Sequence, residues 1–74
     1  MADSKREPAV LDVVALLGDR PAEALMRGQV GTVVDTLDSD TVLVEFSDDQ
    51  GQAYAIAPCP RDALLVLHYE PEAA

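Results

Sequence analysis

The sequence predicts one small all-β domain of five short strands, and three observations lead there. Apolar runs of a few residues recur along the chain, separated at short spacing by turns rich in Asp, Gly and Pro, which is the pattern of antiparallel strands rather than of βαβ units. A chain of 74 residues is too short to hold two cores. With 49% apolar residues it is also too apolar to be disordered throughout.

The first run, Val10 to Leu17, has two readings, because Val10, Val13, Val14 and Leu17 would also line one face of a helix. Gly18 ends the run after eight residues, and its three valines pack better on a pleated sheet, so a strand is expected. Asp19 to Gly28 reads as a long loop with at most a turn or two of helix: Asp19 suits a cap, Pro21 a first turn, and Gly28 a left-handed terminus. Val30 to Leu37 is the second strand. A turn at Asp38-Ser39-Asp40 then leads to the third, Thr41 to Phe46, whose alternation places Val42, Val44 and Phe46 inside and Glu45 outside. Leu43 is left exposed or covered by another segment. Ser47 to Gly51 reverses the chain into a fourth strand, Gln52 to Ala57. Pro58 and Pro60 have no N–H to give to a ladder and are expected to stop it. Arg61-Asp62-Ala63 forms a 3₁₀ turn feeding a fifth strand, Leu64 to His68.

Five strands with a long loop after the first and a short 3₁₀ turn before the fifth follow the order of a small SH3-like barrel. Curling lets so few residues share one core and hides strand edges. The barrel is expected over Ala9 to Tyr69, between a disordered N-terminal tail (residues 1–8) and a flexible C-terminal tail (70–74).

Fourteen acidic and 5 basic residues give a net charge of −9. Phosphate-backbone binding needs Lys and Arg, and only Lys5, Arg6, Arg20, Arg27 and Arg61 are present, with Phe46, Tyr54 and Tyr69 as the only aromatics. Nucleic acid and anionic membrane surfaces are therefore not expected partners. No apolar run of about 20 residues and no signal-peptide pattern is seen. The single Cys59 forms no intrachain disulfide, and a cytoplasmic location is expected.

No catalytic set emerges. Cys59 and His68 together fill only two of the four positions of a structural zinc site, and a thiol between two prolines at a strand end reads as a small apolar filler. Asp38 with Asp40, and Asp48 with Asp49 near Gly51, lack the spacing of a calcium loop and read as solvated turn residues. No enzyme activity, cofactor or metal is expected. The remaining reading is an acidic, non-enzymatic protein-interaction module. It would be an accessory subunit or antitoxin-like inhibitor covering a basic or apolar face of another bacterial protein, or a homodimer, since Val10 to Leu17 and Leu64 to Leu67 are apolar on both faces. The expected contact loops carry Asp19, Asp38, Asp40, Asp48 and Asp49.

Arg27-Gly28-Gln29-Val30-Gly31-Thr32-Val33-Val34, followed by Val42-Leu43-Val44-Glu45-Phe46, resembles the glycine-valine signature of KOW-type and other SH3-like barrels. In that likeness Gly28 and Gly31 bracket the tight lead into a strand and Val33 enters the core. A second resemblance covers nearly the whole domain, through Leu11 to Leu17, Pro21, Leu25 to Val34, Val44-Glu45-Phe46, Gly51, Tyr54-Ala55 and Leu64 to Leu67. It is to a family of small bacterial proteins known only as a domain of unknown function, and it implies an SH3-like barrel without an activity. More distantly, Arg27, Gly28 and Gly31 resemble a segment in the barrel of the nitrile hydratase β subunit and its small accessory proteins. That likeness implies an alternative role in metallocentre assembly or maturation, although the metal-binding cysteines of that enzyme belong to its other subunit.

Overall fold

The structure, a computed structural model, describes residues 7–68. What the sequence implies for residues 1–6 and 69–74 lies outside the described residues. Five antiparallel strands form one sheet: β1 (Val13–Leu16), β2 (Val30–Thr36), β3 (Thr41–Ser47), β4 (Ala53–Pro60) and β5 (Leu64–Val66). They pair in the spatial order β4-β3-β2-β1-β5. The long loop after β1 holds a 3₁₀ turn, Pro21–Glu23, and a second, Arg61–Ala63, precedes β5 as expected.

β1 is half the length of the apolar run that contains it. Asp12 closes a turn ahead of it: its carboxylate accepts from the Ala9 N–H at 2.8 Å, and its own N–H donates to the Ala9 carbonyl at 2.9 Å. Leu11 sits in this turn at φ 78, outside any strand conformation. Within β1, Val14 and Leu16 are buried and Val13 and Ala15 face outward, so the run follows the two-residue period and not the helical stripe.

The β2–β3 hairpin turns where expected. Leu37 and Asp38 both donate their N–H to the Thr41 carbonyl, and the Asp38 carboxylate accepts from the Asp40 N–H at 2.8 Å. A register shift between Val33 and Asp35 places a bulge at Val34 and bends β2. Val42, Val44 and Phe46 are buried as the alternation requires, and Leu43 is half-covered on the other face. At the β3–β4 turn Gly51 adopts φ +81, and Gly28 adopts φ +90 just before β2, both conformations that disfavour a side chain.

β4 corrects the expectation at the prolines: it runs through Pro58 and Pro60 instead of stopping before them. Thr41 turns its carbonyl toward β2, so by alternation the peptide groups of Val42, Val44 and Phe46 face β4, opposite Cys59, Ala57 and Ala55. Those of Ile56, Pro58 and Pro60 then point away from β3, where a missing N–H removes no ladder bond. β4 is an edge strand, and its prolines lie on the outer edge.

One cluster holds Val14, Leu16, Leu25, Val33, Val42, Val44, Phe46, Ala57, Cys59 and Leu64. Its members come from all five strands and from the long loop, which inserts Leu25. A flat sheet would separate Leu64 on β5 from Cys59 on β4 by four strand spacings, about 19 Å. Their burial in a common cluster requires the sheet to curl around it.

Candidate functional site

The face of the sheet turned away from the core is the largest feature not explained by folding. Cross-strand partners share a face, so the register lays out two rows on it: Leu65–Ala15–Val30 across β5, β1 and β2, and Val13–Thr32–Glu45–Ile56 across β1 to β4. A third pairs Asp35 with Leu43 and Pro58. Ile56 is 58% exposed and Leu65 51% exposed, and Tyr54, Val30 and Val34 are exposed beside them. None of the five strands contains a lysine or arginine, and their only charged residues are Asp35 and Glu45. Both are acidic and both lie on this face.

Further acids lie at the two ends of β3. Asp38 and Asp40 sit in the turn before it, and Asp48 and Asp49 in the turn after it, all exposed. The seven residues of β3 span about 23 Å. Exposed acids thus stand in the turn at each end of that length, with Glu45 between them and Asp35 alongside on the outer face. Tyr54, Ile56 and Pro58 flank this stripe on β4, and Val30 and Val34 flank it on β2. Asp48 has a structural task as well: one carboxylate oxygen accepts from the N–H groups of Gln50 and Gln52, each at 2.9 Å. Asp19 lies apart in the long loop, where its carboxylate accepts from the Arg27 N–H at 2.9 Å rather than capping the 3₁₀ turn.

The described arginines lie in loops and turns, outside the five strands. Arg20 pairs with Glu23 at 3.2 Å and donates to the Pro58 carbonyl at 3.3 Å. Gln29 donates to the Tyr54 hydroxyl at 2.7 Å. The long loop is thereby tied to β4 at both Pro58 and Tyr54, and together with the two prolines it guards the edge that a further strand would otherwise join. Arg61 donates to the Pro8 carbonyl at 2.8 Å, anchoring the segment before β1.

The residues with chemical potential do not converge. Cys59 is fully buried in the core, and its thiol approaches the Ala57 carbonyl at 3.7 Å. Burial pushes its pKa up, a smaller effect of the Arg20 guanidinium pulls it down, and Glu23 pushes it up again. His68 is exposed beyond the end of β5. Among the described residues no three His, Cys, Asp or Glu side chains gather around a common metal position. An open cleft of about 350 Å³ is lined by Asp40, Pro60, Arg61 and Asp62. No helix among the described residues is long and apolar enough to cross a membrane.

The profile of a domain of unknown function, DUF4926, matches residues 10–66, the whole of the sheet and its loops. The chain belongs to the DUF4926 family. No curated protein and no solved structure matches it. The span shared with DUF4926 includes the motif residues Arg27, Gly28, Gly31 and Val33, of which Gly31 and Val33 are buried in β2 and Gly28 and Arg27 form the exposed turn before it. This DUF4926 chain also carries what sequence reading passed over: Tyr54 and Ile56 as outward residues of an edge strand. The missed signal was the combination of strict alternation with strands free of Lys and Arg.

Proposed function

We propose that the domain is a non-enzymatic protein-interaction module, an acidic accessory subunit or antitoxin-like inhibitor that covers a basic or apolar face of another protein. The observation that carries this reading is the outer sheet face, where exposed aliphatic and aromatic side chains stand beside Asp35 and Glu45 on strands that contain no lysine or arginine. A contiguous exposed apolar patch rimmed by polar residues suits burial against a partner. The acidic loops at Asp19, Asp38, Asp40, Asp48 and Asp49 extend the same sign of charge around it. An SH3-like barrel is the fold we infer, supported by the neighbouring of β5 and β1 and by the core shared between β4 and β5.

The test is reconstitution. The tagged full chain, purified from its own cells, is expected to bring one basic protein in stoichiometric amount, and the two purified components are expected to reform the complex on mixing. A chain that sediments alone as a monomer at micromolar concentration, with no such protein recovered, overturns the reading.

A further inference from the structure

Resting on the proposed interaction role, we infer that the docking surface is the outer face of β2, β3 and β4, and that its occupant is a cationic protein surface rather than a second copy of this chain. Two routes to self-association through this face and its β4 edge meet obstacles, while the opposite edge, β5, lies outside the proposed surface. Strand addition at β4 meets Pro58 and Pro60, the Arg20 guanidinium at the Pro58 carbonyl, and the Gln29 amide at Tyr54. Face-to-face pairing of two copies would bring the Glu45 and Asp35 carboxylates of one protomer against an outer face equally devoid of cations, between chains that each carry −9.

A partner with Arg or Lys opposite Glu45 and Asp35, and an aliphatic or aromatic group against Ile56 and Pro58, meets neither obstacle. Three strands of seven or eight residues present a footprint of only ~330 Å², well short of the ~800 Å² per partner of a standard interface. The partner must therefore reach the acidic turns at both ends of β3 as well. Its basic groups would then follow the exposed acids from Asp38, past Glu45, to Asp48 and Asp49. Complementary charge along such a line fixes orientation and speeds encounter.

The experiment places a photo-crosslinking benzoylphenylalanine at Ile56, at Leu65 or at Leu11 of the full chain in its own cells, three exposed positions on β4, on β5 and ahead of β1. The expected result is a discrete adduct with another protein from position 56, its attachment point lying in a basic stretch of that protein. With that protein purified, Glu45→Gln and Asp35→Asn are each expected to weaken binding roughly fivefold at low salt. An adduct with a second copy, or adducts from 65 or 11 but not 56, overturn this placement while leaving an interaction role standing. No adduct from any position, with no partner recovered, overturns both.

Discussion

Gly31 of β2 lies against its register partner Phe46 of β3 so closely that a β-carbon at position 31 would come within 3.0 Å of the Phe46 ring and 2.7 Å of the Glu45 carbonyl oxygen. The second contact is with backbone inside a paired strand, which has little freedom to yield. Gly31→Ala is expected to destabilise the domain by about 1–3 kcal/mol, the usual range for overpacking, which for a domain of this size lowers the melting temperature by at least ~4 °C. Gly18→Ala is the matched comparison, since nothing lies near its added methyl. It is expected to be neutral or slightly stabilising in thermal unfolding followed by circular dichroism.

The inward residues of the sheet are legible in the sequence, and its outer face is not. Alternation in Thr41 to Phe46 identifies its inward residues because burial imposes a two-residue period, and turn chemistry at Asp38 and Asp48 marks the reversals through local hydrogen bonds. Boundaries were legible only where local chemistry sets them. The start of β1 depends on the Asp12 turn, whose bonds to Ala9 leave no trace in the hydropathy of Val10 and Leu11. Passage of β4 through Pro58 and Pro60 depends on that strand lying at the edge, a tertiary fact. The same holds for the outer face: Ile56, Glu45 and Thr32 become neighbours only through the register of three strands.

The two prolines of β4 are expected to act against self-association. Replacing both, as Pro58→Val with Pro60→Val, restores two N–H donors on the outer edge and adds β-branched side chains there. Sedimentation velocity should show more self-association than the unaltered chain at equal concentration. A double variant that sediments identically would mean that the Arg20 and Gln29 contacts of the long loop guard the edge unaided.

Cys59 gives a pH dependence of defined sign. Burial raises its folded-state pKa, so below the unfolded value of about 8.5 both states hold the proton and stability does not depend on it. As pH rises past that point the unfolded chain loses the proton first, and stability falls until pH passes the raised folded value. The slope is at most ~1.4 kcal/mol per pH unit. Urea unfolding at pH 7 and pH 10 should show a larger loss for the parent than for Cys59→Ala, which lacks the titrating group. In the native state at pH 7 the thiol is expected to resist a disulfide reagent until the chain unfolds.

Asp48 allows charge and structure to be separated at one position. Its carboxylate oxygen holds the N–H groups of Gln50 and Gln52, so Asp48→Ala should cost about 1–2 kcal/mol through the loss of these bonds at an exposed turn. Asp48→Asn keeps an acceptor in the same place while removing the charge, and chemical denaturation should find it close to the parent. If the acidic stripe along β3 is what a partner reads, this variant should bind more weakly despite an unchanged fold, and the deficit should shrink as salt screens the remaining charge. Equal loss of stability in both variants would instead make the negative charge of Asp48 part of the turn itself.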